Sequence, residues 1–125
     1  MGKDLHPSIM PYILKSLRSH QSIKSINDIS NDENYIYRLT RNNDMGDVVV
    51  LISDVYHYSE FDYFSKPSEL NAGGFILIAK PESDFPVDVQ DHMIEEKVII
   101  GKLGILLGAL RINEFWTYEK PKPKK

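Results

Sequence analysis

Apolar positions in this chain follow two rhythms, one helical and one strand-like, and the alternation between them marks out an α/β domain. After Ser8, a good capping residue, Ile9, Met10, Ile13, Leu14 and Leu17 recur at helical spacing and predict a first helix, with Pro11 tolerated in its first turn. Ile23, Ile26 and Ile29 keep a helical spacing and read as a second short turn, and the polar run from Asn27 to Asn34 reads as a loop. Tyr35 to Thr40 then alternates and is rich in strand formers. Asn42 to Gly46 supplies turn chemistry, so this strand and the next form a hairpin. Asp47 to Ser53 is apolar on both faces, the pattern of a strand at the centre of a covered sheet, and Phe75 to Ala79 has the same character.

A helix is expected to begin near Pro86 and to carry Val87, Val89, Met93 and Ile94. Val98 to Ile100 reads as a short inner strand, Lys102 to Leu110 as a closing helix and Phe115 to Tyr118 as an optional last edge strand. The order is α-β-β-β-α-β-α(-β). It predicts a single compact α/β domain over residues 1–118, with a mixed four- to five-stranded sheet covered by helices. The alternating Lys and Pro of residues 119–125 predict a disordered basic tail. Gly101, Gly104 and Gly108 punctuate the closing helix, and each glycine costs about 1 kcal/mol against alanine. Close approach to the sheet or to a partner is the gain that would offset it.

A length of 125 residues bounds the chain to one domain. The absence of cysteine excludes disulfides, thiolate metal sites and a cysteine nucleophile. The N-terminal residues lack the apolar run of a signal peptide, and the run from Leu103 to Leu110 is far short of the roughly 20 residues that cross a bilayer. A cytoplasmic protein with no membrane partner is therefore expected. Charge is unevenly spread: residues 32–96 carry a net −10, and residues 97–125 a net +5. Nucleic acid is a possible partner on that ground, with Lys97, Lys102, Arg111 and the lysine tail on phosphates.

The order of helix, three strands, helix and further strand resembles the core of restriction-endonuclease-like folds. In active members the second strand supplies an Asp and the third a Glu-x-Lys, which together hold a divalent metal and steady the attacking water. The resemblance implies Asp54 as metal ligand, Lys80 as charge stabiliser and Glu82 as a displaced second ligand, with Mg²⁺ as the cofactor. The position that should hold the second acid is Ile78, so the resemblance equally implies an inactive, nuclease-like nucleic-acid-binding domain. Ile100-Gly101-Lys102-Leu103-Gly104 is similar to the Ile-Gly-x-x-Gly turn of KH domains, which implies RNA binding through a loop between two helices.

The densest chemical cluster runs from Tyr56 to Phe64, with five aromatics and His57. Asp54, His57, Glu60 and Asp62 are metal-ligand types, but strand alternation does not converge them, and no metal or cofactor is expected outside the nuclease alternative. Tyr56, Tyr58, Phe61, Tyr63 and Phe64 suit a protein-binding surface, because amphipathic aromatic patches are common interface anchors. The alternative places the same rings in the core with hydroxyls at the solvent edge. No serine elbow, phosphate-cradling loop or dinucleotide fingerprint is present. The reading is a small non-catalytic interaction or regulatory module whose partner is another protein or a second copy of itself.

Overall fold

Five strands lie side by side in chain order. They are β1 (Ile23–Asp28), β2 (Tyr35–Arg41), β3 (Asp47–Ser53), β4 (Gly74–Ile78) and β5 (Val98–Gly101). The helices are α1 (Ile9–Arg18), α2 (Glu60–Phe64) and α3 (Leu103–Ala109), with 3₁₀ turns at Ser68–Leu70 and Phe115–Thr117. The computed structural model describes residues 9–31, 34–42, 45–53, 60–70, 73–78, 93, 95–112 and 114–117. The chain is thus a single α/β domain with a mixed sheet and flanking helices, as its hydrophobic pattern predicts.

Strands β1, β2 and β3 form an antiparallel meander, and β4 and β5 then add in parallel. The doubly apolar run of β3 explains its place: six of its seven residues are buried, because both faces of the sheet are covered. On one face α1 and α3 close over Tyr37, Leu39, Val48, Val50, Ile52, Phe75 and Leu77. On the other, Tyr63 of α2, Leu70 and Met93 cover Ile36, Val49, Leu51, Ile76 and Ile78. Met93 is helical and buried, whereas the rest of the helix expected from Pro86 to Ile94 lies outside the described residues. The basic tail, residues 119–125, lies outside them as well.

Three expectations change. Residues 23–28 form a strand, not a helical turn. A bulge between Ile23 and Ser25 adds a residue, so Ile23 and Ile26 reach the same core although they stand three apart. Ile29, past the bulge, packs on the opposite face. Second, Phe115–Thr117 is a 3₁₀ turn, not an edge strand. The buried Arg41 guanidinium donates to the carbonyls of Leu110 and Ile112 and lies 5.6 Å from the Phe115 ring centre, which draws the chain back over the core. Third, the meander ends at β3. Phe75–Ile78 pairs in parallel with β3, so it cannot be the third meander strand that the nuclease resemblance makes of it.

Candidate functional site

Helix α2 divides its last two aromatics between core and solvent. Neighbours on a helix point about 100° apart, so one ring enters and the next leaves. Tyr63 is fully buried, and its hydroxyl donates to Glu96 Oε1. The same oxygen accepts from Lys66 Nζ at 3.3 Å, and that ammonium stands 4.0 Å from the centre of the Tyr63 ring. The Lys66 side chain is only 8% exposed, whereas that of Glu96 is 45% exposed, so the pair is shielded on the lysine side and open to solvent on the carboxylate side. Phe64, by contrast, is 59% exposed. Its ring meets the Tyr63 ring edge-on, 5.4 Å between centres at 78°.

The aromatic set expected to bind a partner is therefore split. Tyr63 is core, a correction whose cause is the inward turn of α2, and Phe64 is surface. Tyr56, Tyr58 and the side chain of Phe61 lie outside the described residues. The sequence held no sign of the Glu96 partner, which stands 33 positions away.

The residues implied by the nuclease resemblance, Asp54, Lys80 and Glu82, also lie outside the described residues. Their anchoring strands are described: Ser53, which precedes Asp54, is the register partner of Ile78, two before Lys80. Among the described residues no group of three or more His, Asp or Glu side chains stands ready to hold a metal ion.

Among the described basic residues, Lys97 and Lys102 do not stand together. Lys97 precedes β5 and Lys102 follows it, so they mark opposite ends of one strand. Lys97 adopts a left-handed backbone (φ 61°), and its ammonium lies 5.2 Å from the centre of the Trp116 ring. Arg111 is exposed in the turn after α3, between the two residues whose carbonyls Arg41 holds. Gly101-Lys102-Leu103-Gly104 joins a strand to a helix, whereas the KH turn joins two helices; the expected RNA-gripping loop is thus a β5–α3 junction. Adding a Cβ at Gly101 would press it into Ile105, so this glycine serves packing.

Two concavities are lined by described residues. Arg41, Asp47, Gly73, Lys97, Phe115 and Trp116 line a hollow of about 260 Å³ at the end of the sheet where β4 and β5 begin. Arg41 itself is 5% exposed and is held by backbone carbonyls. Burial pushes its pKa down from the ordinary arginine value, and Asp47 opposes the shift. At the other end, where β4 and β5 finish, a groove of about 300 Å³ opens between α1 and α3.

These features define a small α/β domain with an exposed phenylalanine packed edge-on against a buried tyrosine on one face and a mainly apolar groove at one end of its sheet. Searches of family models, curated proteins and solved structures found no match. Among the described residues no helix is long and apolar enough to cross a membrane.

Proposed function

We propose that the protein is a small non-catalytic interaction module that docks another protein through Phe64. One observation carries this reading: a large apolar ring, 59% exposed, sits on a buried tyrosine held by a carboxylate and a shielded lysine. An apolar ring that already stands out from the folded surface is available to enter a partner's pocket, which is what an interface anchor does. The segments 60–70 and 95–97 carry Glu60, Asp62, Glu69, Glu95 and Glu96 against Lys66 and Lys97, with Glu96 paired to Lys66, so the balance is acidic and the partner that fits is a protein with an apolar pocket rimmed by basic residues.

The test is site-specific photo-crosslinking from position 64 in cells, followed by affinity measurement with the purified crosslinked protein. Phe64→Ala is expected to weaken the complex by about tenfold or more without moving the urea midpoint, and added salt should weaken it further. Equal affinity for wild type and Phe64→Ala, or no polypeptide adduct at position 64, would defeat the reading. Salt-sensitive binding of labelled DNA or RNA that survives Phe64→Ala would move the protein to the nucleic-acid class.

Element order favours one second reading, an inactive nuclease-like domain: α1, the β1–β3 meander, α2 and the parallel β4. On that alignment the second and third strands are β2 and β3. Tyr-Ile-Tyr-Arg-Leu-Thr-Arg and Asp-Val-Val-Val-Leu-Ile-Ser contain no Glu-x-Lys, which supports the absence of catalysis. Asp54 follows the third strand of that alignment and not the second, so Mg²⁺-dependent cleavage abolished by Asp54→Ala would overturn this reading and favour the nuclease with Asp54 as metal ligand.

A further inference from the structure

We infer that β1 is the seat of a weak two-fold dimer, in which the strand pairs antiparallel with β1 of a second copy of this chain. The inference is separate from the Phe64 reading, because Phe64 stands on α2 against one face of the sheet, whereas this surface is a sheet edge.

Among the described residues β1 pairs with β2 alone. An edge strand carries a row of backbone donors and acceptors that another strand can complete. Their direction follows from one bond. Ile29 N–H donates to Ile36 O, so Ser25 and Asn27 also bond towards β2, and the N–H and C=O of Ile26 turn outward. A second copy laid antiparallel on that edge, with the two-fold axis between the paired Ile26 residues, lets them exchange both backbone bonds. The same register sets Ser25 against Asn27 and Lys24 against Asp28, each twice by symmetry. Alternation puts Lys24, Ile26 and Asp28 on one face, so the charged pairs flank the apolar one.

The charge pattern selects this partner. Lys24 and Asp28 are both exposed, and among the described residues Lys24 makes no ion pair. Asp28 Oδ1 already accepts from Ser30 N–H at 2.9 Å. A carboxylate has about four acceptor positions, so the partner's ammonium adds to that bond without displacing it. Lysines and bulges both deter unselective edge pairing, and Lys24 is the residue that the bulge adds. In this register the deterrent meets a carboxylate, whereas a strand without an acid at that position leaves it unopposed. No residue of β1 is buried, so the pairing rests on backbone bonds and charge more than on apolar area. It is therefore reversible, and in dilute protein β1 remains an edge.

The experiment is sedimentation velocity on the full chain from about 10 µM to about 1 mM, the range in which small interfaces associate. The wild-type mass is expected to rise from one chain towards two, with the Ile26 amide exchanging more slowly as it does. Lys24→Glu and Asp28→Lys should each weaken the dimer by about tenfold or more, since symmetry turns two attractive pairs into two repulsive ones. Mixed in equal amounts, these two variants should pair with each other, because one presents two acids and the other two lysines. The double variant should pair with itself. Phe64→Ala should leave the dimer intact, which keeps this outcome distinct from the fate of the Phe64 reading. The inference is overturned by a monomer throughout, a dimer that Phe64→Ala dissolves, a dimer indifferent to both charge reversals, or a mixture that fails to recover. Should Asp28→Lys fail to fold, Asp28→Asn keeps an acceptor for Ser30 N–H and should weaken the dimer by about threefold. Unchanged affinity in that variant overturns the inference as well.

Discussion

Arg41 shows how one side chain joins distant parts of this chain. Its Nε donates to Gly46 O at 3.0 Å, one terminal nitrogen to Ile112 O at 2.7 Å and Leu110 O at 3.4 Å, and the other to Met45 O. The guanidinium therefore fastens the β2–β3 turn to the segment leaving α3. Only a planar fork with several fixed donors can serve carbonyls in these directions; an ammonium on a flexible stem cannot. Arg41→Lys is expected to lower stability by about 2–3 kcal/mol in urea denaturation, since buried carbonyls lose their donor. Arg41→Met should cost at least as much. A loss below about 0.5 kcal/mol, the level of an ordinary surface change, would show that the carbonyls find other partners. None of this was legible in the sequence, where Arg41 reads as a polar residue beside a turn. Its acceptors at Leu110 and Ile112 lie 69 and 71 positions away.

At the scale of elements, the strands that were legible are those whose pattern is unbroken. Tyr35–Thr40, Asp47–Ser53 and Val98–Ile100 each lie within an observed strand, and the run expected from Phe75 to Ala79 does so as far as Ile78, Ala79 lying outside the described residues, because a run of apolar strand formers has few alternatives inside a covered sheet. Strand β1 was hidden by its bulge, which turns strand periodicity into a spacing that imitates a helix. The site was less legible than the fold: Phe64 and Lys102 were singled out by residue type, but the groove joins α1 to α3 across nearly the whole chain.

Glycine makes the same point in energetic terms. A Cβ at Gly74 would be driven into the Val49 carbonyl and the Leu70 side chain, where β4 begins against β3. Gly74→Ala should therefore destabilise by about 2 kcal/mol or more. Gly104→Ala meets nothing and should stabilise by up to about 1 kcal/mol through helix propensity. Thermal denaturation of the two variants checks the pair. Shifts of the same sign would mean that the contacts at one of these glycines are misassigned.

Across the whole molecule, stability is graded from one edge of the sheet inward. All five residues of β4 are buried, and β3 is nearly as covered. No residue of β1 is buried; it pairs only with β2 and carries an irregularity near its start. Local opening draws on regions with few buried apolar contacts, so β1 should open first. Native-state hydrogen exchange should find the ladder amides of β3 and β4 near the global unfolding free energy, and those of β1 exchanging through a much smaller opening. Equal protection across β1 and β4 would mean that the sheet opens only as a unit. The graded result has a consequence for the groove and for Phe64. The groove is floored by the end of β4, and the support under Phe64 is held at Glu96, just before β5. Both are thus mounted on the well-buried parallel half, which keeps its shape while the β1 edge breathes.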